Sequence, residues 1–197
     1  MEVITLVLIV FLYIIKLIIP KYKGQLGEKI VKKELEKLKN DYLILNDIMV
    51  YSDNKTHQID HIVISKYGIF VIETKNYGGK IYGKENDKIW IQKIGSKTNK
   101  LNNPIIQNNG HILALNDITK EKKENFISII CFGNNVELNI DNCKNVIKID
   151  KLNKTINSYK KIKINNIEKI YNQIKKLNIT SKKERKNHIK IIKKQHE

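Results

Sequence analysis

The sequence predicts a mixed α/β domain behind one N-terminal transmembrane helix. Three observations predict it: an apolar run at the N-terminus, helical spacing of apolar residues over positions 24–40 and again after Asn103-Pro104, and short β-branched runs between and after these two stretches. With 197 residues the chain holds one ordinary domain and short attachments. Hydrophobic residues make up 41% and charged residues 29%, which excludes a disordered or fibrous chain.

Residues 3–15 are uncharged and nearly all apolar, and after Lys16 the segment Leu17-Ile18-Ile19 extends the run to Pro20. As a helix the whole stretch reaches roughly 25 Å, slightly short of a ~30 Å hydrocarbon core unless Lys16 snorkels. A cleaved signal peptide would want a basic start and small residues before the cut, whereas Glu2 precedes this run and Ile18-Ile19-Pro20-Lys21 ends it. The expectation is therefore an uncleaved anchor over residues 1–20 and a single-pass protein of the cell membrane. Lys16, Lys21 and Lys23 place the remainder on the cytoplasmic side.

Leu26, Ile30, Val31, Leu35 and Leu38 recur at helical spacing and predict an amphipathic helix over 24–40. Strands follow at 42–51, 57–65 and 68–76, and 79–92 reads as a hairpin turned around Glu85-Asn86-Asp87. Pro104 suits the first turn of a second helix, for which Ile105, Ile106, Ile112, Leu113 and Leu115 supply the apolar face. Phe126 to Phe132 has the length and composition of a buried strand, Val146 to Ile149 adds a short one, and Ile164 to Leu177 reads as a closing helix. The domain is expected over 24–150, followed by a basic helix and tail over 151–197. Residues from Ser181 onward are too polar for a core of their own and are expected to fray or to lie on an acidic partner.

The formal charge is +17, and all 37 basic residues except Arg185 are Lys, in a chain also rich in Ile and Asn. Such a bias accompanies AT-rich coding, so position says more than the total. Residues 151–197 hold 15 basic and 3 acidic side chains, net +12, and the cluster Lys182, Lys183, Arg185 and Lys186 is the part most suited to phosphate backbones or anionic lipid. Cys131 and Cys143 belong to no CxxC pair, which speaks against a zinc ribbon and for free thiols in a reducing compartment.

Two carboxylates need explaining. In the third strand, alternation puts Ile69, Val71, Glu73 and Lys75 on one face; in the second, Ile64, Ile62, Asp60 and Gln58 share a face. Ser65-Lys66-Tyr67-Gly68 suits a type I turn, which favours Ile64 opposite Ile69. Asp60 then faces Glu73 on the same side, with β-carbons about 5 Å apart and Lys75 beside them. Side-by-side carboxylates repel, and hard divalent cations take such oxygen ligands; a Lys-bridged cluster at a solvated strand end accounts for the same residues. On regular alternation His61 faces away from Asp60 as a packed imidazole. His57 and His111 have no His or Cys at ligand spacing, and no nucleophile triad assembles.

Gly27-Glu28, Gln58-Ile59-Asp60-His61, Gly68-Ile69 through Glu73-Thr74-Lys75-Asn76, Tyr77-Gly78-Gly79, Ile81 with Gly83, Trp90, and Asn103-Pro104 with Gln107 resemble the nuclease-related domain, NERD, over roughly residues 24–135. That family is placed in the PD-(D/E)XK restriction-endonuclease-like superfamily. The resemblance implies a restriction-endonuclease-like core: helix, mixed sheet of three to four strands, helix, strand. It also implies a hydrolase that cuts phosphodiester bonds, with Mg²⁺ as cofactor and Mn²⁺ as a substitute. Asp60 and Glu73 would hold the metal together with a main-chain carbonyl near Thr74, Lys75 would orient the attacking water or stabilise developing charge, Glu28 would complete a second metal site, and Gln107 would steady a water or a phosphate. Ile59 stands where the superfamily often has proline, which removes no ligand. The implied partner is nucleic acid, expected to be DNA, with membrane lipid at the N-terminal helix and competing for the basic tail. The alternative from another class is a membrane-tethered nucleic-acid-binding or scaffolding protein that keeps the fold without turnover.

Overall fold

The computed structural model describes residues 2–141, 143–161 and 163–194. In chain order its elements are α1 (Glu2–Leu35), β1 (Leu43–Ser52), β2 (Lys55–Ser65), β3 (Gly68–Lys75), β4 (Gly79–Lys84), β5 (Ile89–Ile94), β6 (Lys97–Asn102), α2 (Pro104–Thr119), β7 (Phe126–Phe132), β8 (Val136–Asp141), β9 (Val146–Lys148), α3 (Leu152–Ser158), α4 (Ile167–Leu177) and α5 (Lys182–Lys194). They build two sheets, one of five strands ordered β1-β2-β3-β7-β9 and one of four ordered β6-β5-β4-β8.

The first sheet sits between helices because both its faces are apolar. Val63, Phe70 and Ile72 pack with Val31 and Leu35 of α1 and with Leu152 and Ile156 of α3. Ile62, Ile64, Ile69 and Val71 pack on the other side with Ile112 and Leu115 of α2 and with Ile170 and Ile174 of α4. β7, apolar on both faces, runs parallel to β3 in the middle of this sandwich. The second sheet has its own small core, in which Ile81, Trp90 and Val136 meet Phe132 and Ile130 from β7. Gly83 lies under the Trp90 indole, where an added β-carbon would come within 2.3 Å of the ring.

One expectation is overturned. Among the described residues no helix is long and apolar enough to cross a membrane, so neither the N-terminal transmembrane helix nor the single-pass membrane localisation holds. The reason lies in length and continuity. The uninterrupted run over residues 3–15 spans only about 20 Å of helix against a ~30 Å hydrocarbon core. Instead of ending at Pro20, α1 continues unbroken to Leu35, so the expected anchor and the expected amphipathic helix are one element whose second half carries Lys23, Glu28, Lys29, Lys32 and Lys33. Large apolar side chains on its first turns, among them Ile4, Leu6 and Phe11, stand exposed.

Three further features were not expected. The expected sheet of three to four strands has five, and β6 and β8 complete a second sheet. Lys and Asn dominate β6, which therefore lacks the apolar alternation that marks a strand, whereas β8 does alternate, Val136, Leu138 and Ile140 against Glu137, Asn139 and Asp141, and is missed only because it is short. The short α3 precedes the closing helix. The last segment forms α5 and seats a buried His188, whose Nδ1 lies 2.6 Å from Thr56 Oγ1.

Candidate metal and phosphate site

The hairpin joining β2 and β3 has the register its turn implies. Ile64 pairs with Ile69 and His61 with Ile72, and Ser65 Oγ accepts the Tyr67 amide inside the turn. Asp60 and Glu73 come next, but there the two strands part. Asp60 Oδ2 accepts the Thr74 amide at 2.8 Å, so a side chain supplies the bond that the ladder no longer makes.

Asp60 reaches the plane of the sheet because β2 turns over beneath it. Leu45 with Ile62, and Ile48 with Ile59, are cross-strand pairs an odd number of residues apart, yet all four face the same core. Strict alternation would separate them. The crossover falls at Asp47, which lies across from Asp60 in the gap that the ladder leaves between the Asn46–His61 and Ile48–Ile59 pairs; its φ of 51° is in the left-handed region that Asp tolerates better than most residues.

Glu73 is buried at the end of β3. Lys75 Nζ lies 2.8 Å from Glu73 Oε1, and the same ammonium donates to Gln107 Oε1 at 3.0 Å. His111 Nε2 is 3.4 Å from Glu73 Oε2, yet among the described residues neither atom has a hydrogen-bond partner. Gln107 and His111 are one helical turn apart on α2, which brings both to Glu73 and Lys75. Between them Asn108 is fully buried and donates to Val71 O and Ser128 Oγ, tying α2 to β3 and β7. Glu28 approaches from α1, which can come this close because Gly27 lacks a side chain: a β-carbon there would lie 2.6 Å from Asn76 Cβ. Asn76 Nδ2 donates to Lys23 O across the same contact.

The structure thus brings together Asp60, Glu73, Lys75 and Gln107, with Glu28 within electrostatic reach. Among the described residues no three His, Cys, Asp or Glu side chains gather closely enough to hold a metal ion, so Glu28 does not join the two aspartate and glutamate carboxylates as a ligand cluster. Lys182, Lys183 and Lys186 are exposed on α5, whereas Arg185 is half-buried and ion-paired with Asp47. His111 and Asp47 were not anticipated. The interval from Gln107 to His111 was the available signal for the first; nothing in the sequence marks the second.

The electrostatics favour a cation. Burial first, and then the Glu73 charge, push the Asp60 carboxyl well above the usual range, while the Thr74 amide partly opposes this. Burial also pushes Glu73 up, but Lys75 and His111 outweigh it and the net direction is down. Burial and then the neighbouring Asp47 and Glu73 raise Glu28. Lys75 is raised because Glu73, with smaller help from Tyr77 and Asp60, overcomes its desolvation. His57, in edge-to-face contact with His111, is pushed down to about 4 by burial and by that ring. A buried Glu73 and a half-buried Asp60 with the Lys75 ammonium against Glu73, and a Glu73 oxygen without a hydrogen-bond partner among the described residues, fit a hard divalent cation that keeps several of its own waters.

A pH test follows from Asp60. Its folded value lies above the unfolded one, so its contribution to stability is complete below the ordinary Asp range and is lost as pH rises through the folded value. Glu73 has the opposite sign: its contribution is present above the ordinary Glu range and is lost as pH falls. The stability advantage of Asp60→Asn over wild type, read from urea midpoints, should therefore grow from about pH 4 to about pH 7. An advantage independent of pH contradicts the assignment of strain to the ionised Asp60.

The sequence profile of the nuclease-related domain matches residues 23–133. An uncharacterized protein of Bacillus anthracis is 40% identical over 152 residues, covering 74% of this chain and 71% of that protein. No solved structure matches.

Proposed function

The chain belongs to the nuclease-related domain family, and from that membership together with the geometry at Asp60 and Glu73 we propose that it hydrolyses phosphodiester bonds in DNA with the help of Mg²⁺. Membership by itself carries a nuclease-related function, nucleic-acid binding and divalent-metal dependence in general terms. The observation that supports the finer reading is the buried Glu73 and half-buried Asp60 with Lys75 against Glu73 and, among the described residues, an oxygen of Glu73 without a hydrogen-bond partner. Asp60 and Glu73 would hold the cation, which supplies Lewis acidity to the phosphate oxygens and the nucleophile.

The chain's own groups do the rest. Lys75, fixed by Glu73 and Gln107, holds a positive charge where negative charge builds on the phosphate. Gln107 sets the direction of that ammonium, and its side-chain amide N–H is of the kind that donates to a water or a phosphate oxygen. The Thr74 amide keeps Asp60 turned inward. Water adds to phosphorus as the bond to the leaving oxygen breaks, and that oxygen departs with a proton.

Full-length protein incubated with plasmid DNA and Mg²⁺ or Mn²⁺ should produce cut product, and Glu73→Ala and Lys75→Ala preparations should not. Equal cleavage by the variants would trace the activity to a contaminant and overturn the proposal. One observation favours the competing reading, a nucleic-acid-binding protein without turnover: Lys75 occupies Glu73 and no third carboxylate completes a cluster among the described residues. Binding of DNA without cleavage in either metal would select it.

Lys182, Lys183 and Lys186 are proposed as backbone contacts that add sequence-independent affinity. Replacing all three with Ala should weaken DNA binding and reduce the slope of log affinity against log salt by about 1 for each Lys that contacts a phosphate. Unchanged affinity and slope would remove α5 from the nucleic-acid interface.

A further inference from the structure

The only arginine in the chain spends its guanidinium on the strand that carries the turnover beneath Asp60. Arg185 Nη1 lies 2.8 Å from Asp47 Oδ2, Nη2 donates to Asp47 O at 2.8 Å and to Asn178 Oδ1 at 3.2 Å, and Nε donates to Ile179 O at 2.7 Å. The same corner is closed from two further directions. Met49 N donates to Asn178 Oδ1 and Ile179 N donates to Met49 O, so the link between α4 and α5 runs along the edge of β1. Gln58 Nε2 donates to the other oxygen of Asp47.

Such a fork is specific to arginine. Its planar donors serve a carboxylate, two main-chain carbonyl oxygens and a side-chain amide at once, which a lysine ammonium cannot match in geometry. Asp47 needs holding, because it has φ of 51° and stands opposite Asp60 at the point where β1 and β2 change faces. An uncompensated Asp47 would also add a further negative charge beside Glu28.

We propose that Arg185 is a positioning residue for the site: by clasping Asp47 it sets the β1–β2 turnover that directs the Asp60 carboxylate onto the Thr74 amide, which makes α5 a structural part of the site. The inference rests on the proposed nuclease reading for its consequence in catalysis, but not for its structural consequence. The order of effects runs from α5 through Arg185 to Asp47, across the ladder to Asp60, and then to Thr74. A variant that breaks the clasp leaves the hydrophobic core intact and frees the Asp60 side chain.

The test uses the full chain and amide hydrogen exchange read residue by residue, which requires no activity. Arg185→Gln removes the charged fork. Asp47→Asn keeps a residue that accepts positive φ but leaves one amide oxygen to serve both Gln58 and Arg185. Both should speed exchange at Thr74 by about tenfold, the scale of one lost hydrogen bond, with Val71 and Ile129 unchanged. Arg185→Lys should rescue little of it. His188→Ala, which loosens the same helix at Thr56, should lower thermal stability without changing Thr74. In cleavage assays Arg185→Gln should lower kcat and leave KM near wild type, whereas a phosphate contact would raise KM and flatten the salt dependence. Unchanged Thr74 protection in the folded Arg185→Gln and Asp47→Asn proteins overturns the proposal, as does an equal loss in His188→Ala. If wild type cuts no DNA, the nuclease reading fails while the exchange result still decides the role of Arg185.

Discussion

Asp60→Asn is expected to abolish the proposed cleavage and to leave a more stable protein. The first effect follows from removing one of two carboxylates proposed to hold the cation. Supporting residues around metal ligands typically cost 10–100-fold in affinity or activity, so a ligand itself should cost more than about 100-fold. The second effect follows from burial. Asp60 is half-buried beside Glu73, and its charge is opposed by both desolvation and repulsion. Asn keeps the size and an oxygen for the Thr74 amide while removing the charge. The gain should be about 1–2 kcal/mol at neutral pH, within the range seen when buried charges are replaced by neutral groups. Urea unfolding and plasmid cleavage on the same preparations read both numbers. A variant that is both inactive and less stable would mean that Asp60 serves the fold.

Lys75→Met is expected to lose the proposed activity as well, but with the opposite change in stability, a loss. Met keeps the apolar stem but takes away the ammonium at Glu73, whose buried charge is then left, among the described residues, with His111 at 3.4 Å as its other ion-pair neighbour. Breaking a buried pair from one side costs about 3–5 kcal/mol, and because Lys75 retains some exposure the lower end, about 3 kcal/mol, is expected. Cleavage should fall by about 10²–10³-fold, the usual loss when one preorganised charge-stabilising group is deleted. Added Mn²⁺ should raise the unfolding midpoint of Lys75→Met more than that of wild type, because the cation takes over the charge balance at Glu73. Equal stabilisation of the two proteins would separate the metal from Glu73.

These residues were legible in the sequence to different depths. The Ser65-Lys66-Tyr67-Gly68 turn and the apolar alternation on either side of it were enough to set the register as far as His61 and Ile72, because in a tight hairpin the turn fixes it, but the ladder ends there and Asp60 does not pair with Glu73. Gln107 came only with the family resemblance; the start of α2 was legible from Pro104, and the structure adds the Asn103 side chain, which accepts the Ile105 amide. The departure of Asp60 from the ladder was not legible, since it depends on a positive φ at Asp47 and on an arginine 138 residues away in sequence. A basic tail reads the same whether its charges face solvent or close on the strand beneath them. His111 was set aside because ligand spacing was sought along the chain, while its partner Glu73 lies on another element. The N-terminal run misled in the opposite way: a window of hydropathy shows how apolar a stretch is, but not that the helix continues into a charged segment.

Calorimetric titration of Mn²⁺ into full-length protein, beside Asp60→Asn in the same buffer, tests the proposed site most directly. Saturable binding to wild type that disappears in the folded Asp60→Asn protein is the predicted result. Binding that survives in Asp60→Asn, or no heat from wild type up to about 1 mM metal, a Kd corresponding to only about −4 kcal/mol, would contradict a divalent-cation site at Asp60 and Glu73.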